Sequence, residues 1–283
     1  MAVYAREHRA PHRRIGVEVR SSNPVLTRSD TFTPGYREAS YGDIGQLRGS
    51  GYGAPVSQAP TGRMTMNDVV AKTGTLFVIL VAVAALTWLA TPVALLYPVA
   101  IVSSITALVA AVVVTMRHST SVPAIMFYTV AEGVLIGAWS AVMEFLYPGI
   151  VSQAVLGTFA AAAVVLASYR YLGVRVSGRV RKILVFSIIA FAVVAALNLV
   201  FLLFGANLGF FNVGPGAGVL SWLFAGLGVV LAVGSLLLDF EECERGVAMG
   251  APAKESWRAA FGLMVTMVWL YTNLLRLLSF LRN

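Results

Sequence analysis

Residues Ile183 to Gly205 read ILVFSIIAFAVVAALNLVFLLFG, a run of 23 residues without a charged side chain. At 1.5 Å per residue a helix of that length reaches ~34 Å, enough to cross the ~30 Å hydrocarbon layer of a bilayer. Six more apolar stretches lie along the chain: Thr73 to Ala90, Pro98 to Met116, Val122 to Tyr147, Ile150 to Leu172, Gly216 to Leu238 and Ala259 to Leu281. Pro92, Pro98, Pro123, Pro148 and the Gly214-Pro215-Gly216 turn fall between these stretches or at their edges, where a missing amide is tolerated. The pattern predicts an all-α membrane protein, a bundle of seven transmembrane helices.

Composition points the same way. A hydrophobic fraction of 58 % with only 12 % charged residues and a mean hydropathy of +0.79 do not suit a soluble domain, which carries about twice that charge. Between Val69 and Leu238 the only carboxylates are Glu132 and Glu144. The single cysteine, Cys243, rules out an intrachain disulfide and any multi-thiolate metal site. No cofactor is expected.

Residues 1–66 differ from the rest. They are rich in Arg, Ser, Gly, Pro and Tyr and show no sustained apolar period, so they cannot bury enough surface to offset ordering entropy. This predicts a disordered basic cytoplasmic tail over 1–66, followed by a seven-helix transmembrane domain over 67–283, with Asn67 or Asp68 as a helix cap. The first apolar run starts too late for a cleaved secretory signal. The basic tail is read as a topology signal with loose contact to anionic lipid rather than as a nucleic-acid-binding arm.

The remaining Arg and Lys residues orient the bundle. The tail holds nine arginines, the second connection Arg117, the fourth Arg170, Arg175, Arg179, Arg181 and Lys182, and the sixth Arg245, Lys254 and Arg258. The first, third and fifth connections hold none. Positive-inside bias then puts the N-terminus in the cytoplasm and the C-terminus, with Arg282, outside the cell. The expected location is the cell membrane, as a multi-pass protein whose surroundings are the lipid bilayer.

Ionisable groups within spans are costly and therefore candidates for function. Glu132 lies ten residues into the third stretch, ~15 Å deep, and needs a proton, a partner or a wet cavity. A carboxyl bonded to a neighbouring helix is the simpler alternative. Glu144, nearer the other end, reads as interfacial. Asp239 follows the sixth stretch directly, which places it at the cytoplasmic membrane edge, with Glu242 one turn on along the same face. Clustered carboxylates suit protons or hard cations, whereas Glu241 and Glu244 read equally well as a solvated helix end. Arg117 closes the second stretch at the same depth as Asp239 and either pairs with it or snorkels to lipid phosphate. In the seventh stretch Thr266, Trp269, Asn273 and Arg276 share one face, and this polar stripe lines a route or bonds helices together.

Several chemistries are excluded by residue type. The only histidines are His8, His12 and His118, so no Ser/His dyad or HExxH zinc site can form within the spans. Asp239 is the only aspartate next to a span, which removes an intramembrane aspartyl dyad, and the lysines lie at helix ends or in loops. The chain is not expected to be an enzyme.

The segments Phe127-Tyr128-Thr129-Val130-Ala131-Glu132-Gly133, Leu237-Leu238-Asp239 and Asn273-Leu274-Leu275-Arg276 resemble the Bax inhibitor-1, or transmembrane Bax inhibitor motif, family. Ser22-Asn23-Pro24-Val25-Leu26 and Met64-Thr65-Met66-Asn67-Asp68-Val69 are similar to its bacterial branch with a long polar N-terminal extension. The resemblance implies a seven-helix bundle whose last helix is central, in a bacterial inner membrane, with a calcium leak controlled by carboxylate protonation. The family's sixth-helix aspartate falls on Asp239 and its latching arginine on Arg117. Thr266 stands where many members hold a second aspartate, and Thr106 where some hold an acid in the second helix.

The leading expectation is therefore a pH-sensitive cation leak channel, with calcium as the ion carried. Glu132, Asp239, Glu242, Thr266 and Asn273 would lie on the pathway or sense pH, and Arg117 and Asp239 would form a gate latch. The alternatives are a non-transporting modulator of a membrane protease or of membrane-protein quality control, and a proton-coupled small-molecule permease.

Overall fold

A computed structural model describes residues 62–116, 121–173 and 175–282. They form seven helices: α1 (Met66–Ala90), α2 (Leu96–Met116), α3 (Val122–Leu146), α4 (Ile150–Tyr171), α5 (Gly178–Leu203), α6 (Val219–Ala248) and α7 (Glu255–Phe280), with a 3-10 turn Val93–Leu95 before α2. All seven are long and apolar enough to cross a membrane. Apart from residues 62–66, the expected tail lies outside the described residues, as do Arg117 and His118.

Four helices overrun their apolar stretches by four residues or more, because backbone hydrogen bonding and not hydropathy decides where a helix stops. α1 begins at Met66, seven residues before Thr73, and its cap is Thr65, whose Oγ1 accepts from the Asp68 amide at 3.2 Å. The expectation of Asn67 or Asp68 as cap is thus corrected by a few residues, and Asp68 becomes a first-turn acid that binds Lys72 Nζ at 2.6 Å. α5 starts at Gly178 behind the Ser177 cap, α6 runs ten residues beyond Leu238, and α7 starts at Glu255. Pro98 and Pro123 sit in first turns, where their missing amides break no bond.

The last helix is the hub. α7 packs on α1, α3, α4 and α6, while α3 packs on α1 and α2; α2 leans on α3 and α5 on α6. Leu76, Ile125, Met143, Ile150, Met264 and Leu275 meet in the largest apolar cluster. Gly133 and Gly137 bring α1 against α3: a Cβ at Gly137 would lie 2.4 Å from the Ala84 carbonyl oxygen, and one at Gly133 would lie 2.8 Å from Val83 Cβ. Close backbone approach through small residues is how helices gain packing in lipid, which offers no hydrophobic drive between them. Leu89, Phe186 and Phe204, all exposed, present the apolar outer surface that lipid solvates.

The chain links tie the bundle at both ends. At one end, Met64 N donates to Ala251 O at 2.7 Å and Ala253 N to Gly62 O at 2.9 Å, so residues 62–65 pair with the α6–α7 connection. Lys72 Nζ adds a bond to Ala253 O at 3.1 Å. This is the end that carries Arg63, Arg175, Arg181, Arg245, Lys254 and Arg258, called here the basic end. At the opposite end, Gly214 N donates to Ser279 Oγ at 3.1 Å, and Gly214 has φ +85° with the Tyr147 hydroxyl occupying the space of a side chain.

Candidate functional site

The functional candidates sit on α3, α6 and α7, and the structure separates them into distinct places. Asp239 is half-buried on α6, with nine residues of helix still to follow, ~14 Å of axis. The helix therefore continues well past the apolar stretch that ends at Leu238. The Thr266 hydroxyl on α7 hydrogen-bonds its carboxylate, and its Oδ2 has no hydrogen-bond partner among the described residues. A buried acceptor left without a donor costs ~1–3 kcal/mol. Asp239 lines a recess of about 260 Å³ with Met64, Glu242, Cys243, Gly246, Glu255 and Arg258. The recess lies at the basic end, against the N-terminal segment that docks on the α6–α7 connection.

Glu242 enters the recess but is not free. Its carboxylate pairs with Arg181 of α5. Glu241 and Glu244, which read in sequence equally well as a solvated helix end, are both engaged: Glu241 accepts from Val176 N at 3.1 Å, and Glu244 takes bonds from the Tyr169 hydroxyl and the Arg175 guanidinium. Arg175, in the α4–α5 connection, also stacks over the Tyr169 ring at 4.7 Å, and the Glu244 carboxylate holds its guanidinium above its usual pKa. These acids thus fasten α6 to the α4–α5 connection. Cys243, between them, is buried.

Glu132 is buried in α3, one turn after Tyr128, whose hydroxyl is its hydrogen-bond donor. Tyr128 in turn packs edge-on against Phe261 of α7 at 5.0 Å. Glu132 is not among the residues lining the Asp239 recess. Glu144 is no idle interfacial acid: it accepts from Gly149 N at 2.6 Å and Val151 N at 3.1 Å, satisfying orphan amides at the start of α4 from the end of α3.

The polar stripe of α7 faces protein, but it is not one continuous file. Thr266 meets Asp239. Trp269 interposes its ring against Phe191 at 5.4 Å. Asn273 donates to Trp269 O at 2.8 Å, and its Oδ1 lies where a Cβ on Gly228 of α6 would fall. Arg276 is buried, donates to Phe210 O at 2.7 Å and lies over the Phe211 ring at 4.6 Å. Asn273 and Asp239 are therefore separate sites. Thr106 on α2 bonds back to Val102 O at 2.9 Å.

A family described as Bax inhibitor 1 like matches residues 23–283. The chain belongs to this family. No curated protein matches it. Within this Bax-inhibitor-like chain the segment Phe127–Gly133 supplies both the Tyr128–Glu132 pair and the Gly133 contact with α1. The position of Asp239, opposite Thr266, leaves one carboxylate where two would stand if Thr266 were acidic. Among the described residues no group of three or more His, Cys, Asp or Glu side chains could hold a metal ion.

Sequence reasoning missed several of these features. The Gly133/Gly137 spacing was a readable sign of close helix approach, and Tyr128 was visible as the residue one turn before Glu132. The bonds of Glu241 and Glu244 had no local sign, since their partners lie more than sixty residues away.

Proposed function

We propose that this chain is an acid-responsive cation leak of the cell membrane, with Asp239 as the group whose charge sets its state and calcium as the ion that the family resemblance implies. The supporting observation is the carboxylate itself: half-buried, facing a recess, with one oxygen lacking a hydrogen-bond partner among the described residues. Such a group exchanges protons or a cation with that recess at little structural cost. The clustering of Arg and Lys at the basic end favours placing that end in the cytoplasm, with the C-terminus outside. The role is non-enzymatic, and Glu132, bonded to Tyr128, is the buried carboxylate further along the bundle.

The sign of the pH response follows from charge. In the sequence-based reading, ionised Asp239 holds the closed state through Arg117, which lies outside the described residues. Acid neutralises Asp239 and opens the leak; Asp239→Asn then leaks at every pH. Full-length protein in liposomes containing a calcium reporter, measured from about pH 5 to 8, should show flux rising toward acid for wild type and a flat, raised profile for Asp239→Asn. A closed Asp239→Asn with the wild-type pH profile would refute the proposal. Glu132→Gln tests the second carboxylate in the same assay.

One observation favours a second reading. With Thr266 opposite Asp239, Glu242 paired with Arg181 and Glu255 with Arg258, Asp239 is the one recess carboxylate without an ion-pair partner among the described residues, which is sparse for a divalent ion. A modulator of a membrane protease would need no more than the bundle. Silent liposomes together with a co-purifying membrane protease would select it.

A further inference from the structure

We propose that the bundle carries a lateral binding site for a neutral, flat carbonyl compound dissolved in the membrane, of the quinone class, in the cavity between α1 and α4. These two helices each pack on α7 but not closely on one another. The gap is a cavity of about 250 Å³, floored by α3 and α7. Its wall runs from Phe77 to Trp88 along α1, ~16 Å of axis, and Val81, Ala85, Trp88 and Phe159 at its mouth are exposed on the lipid-facing side. A ligand would enter from the bilayer and not from water.

Two features define the ligand. The first is aromatic lining: Phe77, Trp88, Phe159 and Tyr271 come from three different helices and offer faces on which a flat ring packs. The second is one available proton. Ser140 Oγ and Tyr271 Oη are 2.7 Å apart and share one hydrogen bond. Each hydroxyl carries a proton, and the bond uses only one. Whichever group donates, the other proton has no acceptor among the hydrogen bonds described. The third hydroxyl, on Thr158, is already spent on Ala154 O at 2.7 Å. The cavity has no charged lining residue, so a carboxylate or an amine would enter at a large desolvation cost. A hydrocarbon would leave the proton unpaired. A ring with a carbonyl oxygen and an apolar tail matches both the walls and the floor.

The test uses detergent-solubilised full-length protein titrated with decylubiquinone, with decylbenzene as the carbonyl-free control, and reads the rise in thermal unfolding midpoint with ligand. Wild type should respond to the quinone at lower concentration than to the control. Ala85→Phe and Val155→Phe, which fill the mouth from opposite sides, should each abolish the response. Ser140→Ala leaves the Tyr271 proton free and should retain quinone binding, whereas Ser140→Ala with Tyr271→Phe removes both protons and should weaken it by roughly two- to tenfold, the worth of one neutral hydrogen bond. Equal responses to quinone and alkylbenzene, or undiminished binding in both mouth-filling variants, would overturn the proposal and leave only an acyl-chain crevice. The outcome is independent of whether the chain conducts ions.

Discussion

Gly137→Ala probes the α1–α3 contact on which half the bundle is built. The added Cβ would lie 2.4 Å from the Ala84 carbonyl oxygen, 2.8 Å from Ala84 Cα and 2.9 Å from Thr87 Cβ. Ordinary contact begins at 3.4 Å, so the shortfall is 3.4 − 2.4 = 1.0 Å, and it is against backbone, which cannot rotate away. α1 must move by about that distance. Overpacking of this kind costs ~1–3 kcal/mol, partly offset by the ~0.5–1 kcal/mol that alanine gains over glycine within a helix. The expected net effect is destabilisation by ~1–2 kcal/mol. Gly74→Ala and Gly226→Ala, also within helices but with nothing within 4 Å of the added carbon, should be neutral or slightly stabilising. Thermal unfolding of the three variants in one detergent reads the comparison directly. A Gly137→Ala protein as stable as Gly226→Ala would show that α1 and α3 are not held at this distance.

Three further outcomes follow from particular contacts. Glu144→Ala removes the acceptor for two amides at the start of α4 and should lower stability by ~1–2 kcal/mol, with Glu144→Gln losing less because its carbonyl oxygen still accepts; unfolding midpoints of the pair decide. Deleting the chain through Thr61 should leave the midpoint unchanged, whereas deleting through Thr65 removes buried Met64, the Thr65 cap and the pairing with Ala251 and Ala253, and should lower it clearly. If the C-terminus is outside the cell, a cysteine placed after Arg282 in a Cys243→Ser background should react with an impermeant maleimide on intact cells; labelling only after lysis would reverse the orientation.

The number of helices and their approximate positions were legible in the sequence because lipid offers the backbone no hydrogen bonds, so each crossing must be a self-satisfied apolar helix of about twenty residues. Ile183 to Gly205 states that requirement by itself. The helix ends were less legible, since Met66 to Lys72 and Asp239 to Ala248 are interrupted by charged residues such as Asp68, Lys72, Glu241 and Glu244 yet are helical, held by caps and backbone bonds that hydropathy does not register. That Asp239 and Thr266 matter was visible from residue type and from the Bax-inhibitor resemblance; that they touch each other and not Glu132 or Asn273 was decided by how α6 lies on α7. Only tertiary packing assigned Glu241 and Glu244 to Val176, Tyr169 and Arg175, because those partners are brought together by a loop whose path no local pattern encodes. The cavity between α1 and α4 belongs wholly to the folded bundle: apart from Ser140, Thr158 and Tyr271 its lining residues read in sequence as ordinary apolar or small positions, and the space exists because two helices that share α7 as a neighbour do not close on each other.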